Sequence, residues 1–125
     1  MNLNKKIYKQ KTTIRHYLKK HQKLQKLASS LYLKYCYMAG PFHTLPNFLI
    51  VGFPKCGTTS LYEYLIQHPS IHSASGKEID YFDRLYERGL SWYRMSFPTN
   101  FTKINNETFL KKTFQTGEAT PRYMV

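Results

Sequence analysis

The stretch that most limits what this chain can fold into is residues 48–65, FLIVGFPKCGTTSLYEYL, where an apolar run, a glycine-bearing loop and a helix-patterned segment follow one another without a break. Phe48, Leu49, Ile50 and Val51 form a short continuous apolar run behind Pro46 and Asn47, the pattern of a strand buried in a parallel sheet. Gly52, Pro54 and Gly57 let the backbone of the following loop approach a ligand, and Lys55 supplies a single positive charge. Thr58, Thr59 and Ser60 then open a segment whose apolar residues Leu61, Tyr64 and Leu65 fall three and four apart, as on one face of a helix. The first N–H groups of such a helix have no partner within it and would face the loop. Strand, loop and helix start together make a cradle for a dianionic, phosphate-like group.

Register narrows the guest. The nucleotide-hydrolase pattern GxxxxGK[ST] places lysine directly after the second glycine; here Gly52 and Gly57 keep the spacing, Thr58 takes the lysine position, and the lysine comes earlier, at Lys55. That displacement argues against a magnesium–ATP site and for a donor bound without a metal. In isolation the same string also reads as a plain strand-to-helix turn.

The string PKCGTTSLYEYLIQHP resembles the 5'-phosphosulfate-binding loop of the sulfotransferases that use 3'-phosphoadenosine 5'-phosphosulfate (PAPS). The resemblance implies that Lys55 contacts the phosphosulfate and stabilises charge on the leaving oxygen. It implies too that the loop backbone and hydroxyls at Cys56, Gly57, Thr58, Thr59 and Ser60 bind the 5'-phosphate. Residues 77–98, KEIDYFDRLYERGLSWYRMSFP, are similar to the segment that carries the catalytic carboxylate in heparan-sulfate-type carbohydrate sulfotransferases and their bacterial relatives. Glu78 is the matching residue, and its implied task is to take the proton from an attacking hydroxyl. Read from residue type alone, Glu78 is a surface ion-pair partner for Lys77 or Arg84. Residues 116–124, TGEATPRYM, resemble the family's E-x-[ST]-P-x-Y segment; Ala119 stands where some relatives carry a lysine, so no catalytic role passes to it. Glu118 either orients the site or bonds local backbone, and both readings stand.

The fold expected is α/β, a P-loop-like three-layer sandwich around a central parallel sheet, with strands at residues 48–51, 71–73 and 113–117. The division expected is a basic amphipathic helical segment over 1–44 and the N-terminal part of a sulfotransferase domain over 45–125. The strand and helix that bind the 3'-phosphate in the family, and its later glycine-rich loop, have no counterpart in these 125 residues. The sheet is therefore expected to be incomplete, and the chain alone inactive and poorly stable.

Residues 1–46 hold nine lysines and one arginine and no acidic residue, so ten of the twelve net positive charges sit there. Ile14, Tyr17, Leu18, Leu24, Leu27, Ala28, Leu31 and Tyr35 recur at helical spacing, interrupted by His21, which predicts a basic amphipathic helix. It could dock on the rest of the enzyme, lie on an anionic membrane surface, or bind a polyanion; docking is the default, and nucleic acid is not expected. No run of about 20 apolar residues occurs and no secretory signal is read, which leads to the expectation of a cytoplasmic location. Asn100 and Asn106 fit the N-glycosylation pattern and are read as loop polar residues. Cys36 and Cys56 define no disulfide framework, and His16, His21, His43, His68 and His72 form no ligand-like pattern, so no metal is expected. The function expected is sulfuryl transfer from PAPS to a hydroxyl or amine of a carbohydrate-like acceptor. The alternatives are a basic polyanion- or membrane-surface-binding segment without catalysis, and a P-loop kinase-like phosphotransferase.

Overall fold

The computed structural model describes residues 3–124 of the chain, with side chains described from residue 19 onward. The chain divides into two units, residues 1–34 and 35–125.

One long helix, α1 (Leu3–Ala39), runs through the first unit and into the second. No glycine or proline interrupts residues 3–39, and the helix stops where Gly40-Pro41 opens a 3₁₀ turn over Gly40–Phe42. In the first unit the side chains of residues 19–34 are exposed, including Leu24, Leu27 and Leu31. Among the described residues, no helix is long and apolar enough to cross a membrane.

The second unit is helices around a parallel sheet of three strands, β1 (Phe48–Ile50), β2 (Ile71–Ser73) and β3 (Gln115–Ala119), in the order β1-β3-β2. Phe48 pairs with Gly117 and Ile50 with Ala119 on one side of β3; Ile71 pairs with Gln115 and Ser73 with Gly117 on the other. The central strand is thus the last one in sequence, and it is buried from Thr116 to Ala119. β1 is an edge of the described sheet, with Leu49 41% exposed, so its apolar run does not mark a strand covered on both faces.

The centre of the sheet can be polar because its groups are paired. Thr116 donates from its hydroxyl to the His72 carbonyl at 2.8 Å and from its N–H to Asn47 Oδ1 at 3.0 Å. A side chain at Gly117 would put its Cβ 2.5 Å from the Phe48 ring, so glycine there lets the aromatic lie against the strand.

Helix α2 (Thr58–Leu65) follows β1 and packs through Tyr62, which is buried with Ile50 and Ala119. The Tyr62 hydroxyl donates to the Gly117 carbonyl at 3.2 Å and accepts the Ala74 N–H at 2.9 Å, joining α2 to β3 and to the end of β2. Beyond β2 a second cluster forms from Ile79, Tyr81, Tyr93 and Phe97. Tyr81 and Tyr93 stack at 4.4 Å, and Phe97 meets Tyr93 edge-on at 5.0 Å, geometries that add to the area buried. Tyr93 belongs to α3 (Leu90–Arg94), which begins after Gly89 at φ 83°. A Cβ on Gly40 would lie 2.5 Å from the Ser91 carbonyl oxygen, so the turn after α1 rests directly on α3.

Helix α4 (Asn100–Ile104) starts at Thr99, whose hydroxyl accepts the Thr102 N–H at 3.2 Å. Asn106 lies within the continuing turn and donates to the Thr102 carbonyl at 2.8 Å. Thr99 serves as the cap because it directly follows Pro98, in extended backbone, where an N-cap must be.

Candidate functional site

The loop between β1 and α2 is built for a close approach. Lys55 (φ 67°) and Gly57 (φ 87°) both take left-handed backbone, and Lys55 does so without the freedom of glycine. Positive φ at two positions this close turns the loop sharply just ahead of α2, the kind of backbone from which anion-binding concavities are built. A Cβ on Gly52 would lie 2.7 Å from Cys56 Sγ, so glycine at 52 lets the Cys56 side chain lie against the backbone there. Gly57 caps α2 without a side-chain acceptor, and the Leu61 N–H is the first to reach back to the Gly57 carbonyl, at 3.0 Å. The N–H groups before it are left for a ligand, and the helix dipole favours a negative one by about 0.3–1 kcal/mol per charge.

A cavity of about 350 Å³ opens here. Pro54, Lys55, Gly57, Thr58 and Thr59 line it from the loop and α2, Glu78 from the segment after β2, and Pro121 and Arg122 from the turn after β3. Of the residues singled out from sequence, the structure brings Lys55, Gly57, Thr58, Thr59 and Glu78 to this one cavity. Cys56 and Ser60 do not line it: the Cys56 N–H is spent on the Phe53 carbonyl at 3.2 Å, and Ser60 is on the exposed side of α2. Cys36 and Cys56 are free thiols.

Glu78 is exposed to the cavity, and the partners that would make it a surface ion pair are engaged elsewhere. Lys77 pairs with Glu63, and Arg84 lies 3.7 Å from Asp83.

Glu118 is a buried carboxylate enclosed by donors. It is fully buried at the end of β3. Its Oε1 accepts from the Tyr93 hydroxyl at 2.5 Å and the Tyr123 hydroxyl at 3.1 Å. Its Oε2 accepts from the Thr120 hydroxyl at 2.7 Å and the Ile79 N–H at 3.3 Å. Burial pushes the Tyr93 hydroxyl far above the ordinary tyrosine range, and the hydrogen bond to Glu118 and its charge push the same way. Burial likewise raises Tyr123. The four donors come from the residue after Glu78, from α3, and from both sides of Arg122. One carboxylate therefore holds together the segments that present Glu78 and Arg122, which selects orientation of the site over a purely local backbone role for Glu118.

Arg122 is the residue that sequence reasoning passed over. It is half-buried, it lines the cavity, and its Nη1 is buried with no hydrogen-bond partner among the described residues. The signal available was its place: a lone cation just beyond the carboxyl end of a parallel strand, where open α/β sheets bind their ligands. Ala119, by contrast, is buried against Ile50 and Tyr62 and takes no part in the cavity. Among the described residues, no group of three or more His, Cys, Asp or Glu side chains is placed to hold a metal ion.

The model of the sulfotransferase domain family matches residues 45–123, which takes in β1, the loop, the Glu78 segment and β3. The chain belongs to the sulfotransferase domain family. The membrane-associated sulfotransferase kil1 of Dictyostelium discoideum is 41% identical over 85 residues, covering 68% of this chain and 17% of that protein. Human heparan sulfate glucosamine 3-O-sulfotransferase 6 is 44% identical over 80 residues, 62% of this chain and 22% of that protein. Human bifunctional heparan sulfate N-deacetylase/N-sulfotransferase 3 is 40% identical over 86 residues, 62% of this chain and 10% of that protein. The chain thus spans a fifth or less, or little more, of the length of these sulfotransferases.

These relatives overturn the expectation of a cytoplasmic location, since one of them is a protein named for its association with a membrane. The lack of a long apolar helix among the described residues bears on crossing a membrane and not on compartment. A basic helix with exposed leucines can meet a membrane without crossing it.

Proposed function

We propose that this chain carries the donor-binding and base-bearing part of a PAPS-dependent sulfotransferase acting on a hydroxyl or amine of a carbohydrate-like acceptor. The observation that carries the proposal is the convergence of Lys55, the α2 N-terminus and Glu78 on one cavity. The loop fits the donor: left-handed backbone at two positions, an uncapped helix start and a lysine match a 5'-phosphosulfate, and Thr58 in place of lysine after Gly57 disfavours magnesium–ATP. The layout is read as P-loop-like, with residues 45–125 forming the sulfotransferase part and residues 1–44 a basic helical segment before it.

In this reading PAPS supplies the sulfuryl group. The N–H groups of Gly57, Thr58 and Thr59 hold the 5'-phosphate, and Lys55 stabilises the negative charge that grows on its bridging oxygen. Glu78 accepts the proton from the acceptor hydroxyl as the oxygen attacks sulfur in line with the departing phosphate. The relatives named for heparan sulfate make an acidic saccharide the acceptor class to try first. The basic segment 1–44, in which Leu24, Leu27 and Leu31 are exposed, is assigned to peripheral contact with an anionic membrane.

Transfer from PAPS to a desulfated heparan-type saccharide, followed by radiolabel, tests the assignment. Assayed in a protein that joins these 125 residues to a 3'-phosphate-binding part, Glu78→Gln should lower kcat by about 10²–10⁴-fold while leaving affinity for 3'-phosphoadenosine 5'-phosphate (PAP) unchanged. An unchanged kcat would remove Glu78 from the chemistry.

A further inference from the structure

Arg122 is a cation of the cavity to which neither the loop nor the base assigns a task. It lies in the 3₁₀ turn Pro121–Met124, directly after the central strand, and reaches the same cavity as Lys55 and Glu78. One of its guanidinium nitrogens, Nη1, is sealed from solvent and bonds to nothing among the described residues. A desolvated donor on a permanent cation is costly to leave unpaired, and an oxyanion that drew the half-buried fork round would offset that cost.

Placement decides which oxyanion. The loop N–H groups and Lys55 serve a phosphate from the β1–α2 side. Arg122 comes from the turn after β3, and it is tied to the Glu78 segment rather than to the loop: its neighbours Thr120 and Tyr123 and the Ile79 N–H all bond to the Glu118 carboxylate. A group held between loop and base is the group being transferred.

We propose that Arg122 binds the sulfuryl oxygens of the donor, and so lets this site tell a phosphosulfate from a bare phosphate. The proposal rests on the donor reading above. A planar guanidinium can give two parallel N–H bonds to two oxygens of one tetrahedral group, which a lysine at the same place cannot. The contact persists as the sulfuryl group passes from the phosphate oxygen to the acceptor, so Arg122 guides the group in flight without taking part in the proton transfer.

The test is a calorimetric titration of the 125-residue chain, without magnesium, with adenosine 5'-phosphosulfate and with AMP. The two ligands share the nucleoside and the 5'-phosphate and differ in the sulfuryl group. Arg122→Met, which keeps the bulk of the stem, should weaken the phosphosulfate by about tenfold or more and AMP by less than about twofold. Arg122→Lys should fall between, because charge remains and the fork is lost. Equal losses for both ligands would place Arg122 on the phosphate and overturn the proposal, as would no loss for either. Should Arg122→Met fail to fold, as read by near-ultraviolet circular dichroism, the ratio of the two affinities in Arg122→Lys decides in the same way. A wild-type chain that binds neither ligand would overturn the donor reading itself, and the Arg122 assignment with it. A wild-type chain that binds both, with a ratio indifferent to position 122, sinks the Arg122 assignment alone.

Discussion

Replacing Glu118 should separate its value as an acceptor from its value as a charge. The carboxylate is fully buried and, among the described residues, its four partners are neutral donors at 2.5–3.3 Å. Glu118→Leu removes every acceptor. The hydroxyls of Thr120 and Tyr123 can turn elsewhere, but the Ile79 N–H is fixed by the backbone, and the fully buried Tyr93 ring is held by Tyr81 and Phe97. Each orphaned buried donor costs about 1–3 kcal/mol, and the buried carboxylate no longer has to be desolvated, so the net loss expected is about 2–5 kcal/mol. Glu118→Gln behaves differently. Its oxygen can keep the Ile79 N–H and the Thr120 hydroxyl, while its amide donates to the two tyrosine oxygens, which accept as readily as they donate. The loss should then be about 1 kcal/mol. Trp92, the single tryptophan, packs against the same aromatic cluster and reports the urea transition by fluorescence. A difference of 1 kcal/mol is about 4–8 °C in Tm for a unit of this size. Leucine proving no worse than glutamine at position 118 would refute the idea that the four donors depend on this carboxylate.

Other outcomes follow from the same geometry. Gly117→Ala should cost about 1–3 kcal/mol, because the new Cβ would sit 2.5 Å from the Phe48 ring and carbonyl; a variant with the wild-type urea midpoint would contradict that contact. Gly57→Ala has open space around it but a φ of 87°, so about 1–2 kcal/mol of strain is expected, with weaker PAP binding if the alanine loop relaxes; unchanged midpoint and affinity would count against the cradle geometry. Burial raises the hydroxyls of Tyr62, Tyr81, Tyr93 and Tyr123 above their ordinary value of 10.0. The folded state holds these protons more tightly than the unfolded chain, so their contribution is complete below about pH 10 and is lost as pH rises above it. Urea midpoints should stay level from pH 8 to about 9.5 and then fall; a midpoint that rose above pH 10 would contradict the burial.

The cradle was legible because its causes are local. An apolar run, two glycines at fixed spacing and a helix-patterned segment lie within eighteen consecutive residues, 48–65. Three features were not legible, each for a non-local reason. β3 is central although its Gln-Thr-Gly-Glu-Ala string lacks an apolar run; its polar groups are paid for by Asn47, His72, Tyr93 and Ile79, which are far away in sequence. β1 has the most apolar string and yet lies at the edge of the described sheet. Arg122 reads as one surface cation among nineteen basic residues until the sheet sets it beside Lys55 and Glu78. Glu118 was recognisable as a residue of interest, and only the four donors brought to it from separate segments assign it to holding the site together.

The central claim is that the loop at Lys55 and the start of α2 bind the phosphate end of a sulfuryl donor without a metal. Calorimetric titration of the chain with PAP in the presence of EDTA tests it most directly, with Lys55→Ala and magnesium–ATP alongside. The account predicts saturable PAP binding that needs no magnesium, weakened about tenfold or more in Lys55→Ala at an unchanged urea midpoint. Binding of magnesium–ATP in preference to PAP, or PAP binding indifferent to Lys55, would contradict it.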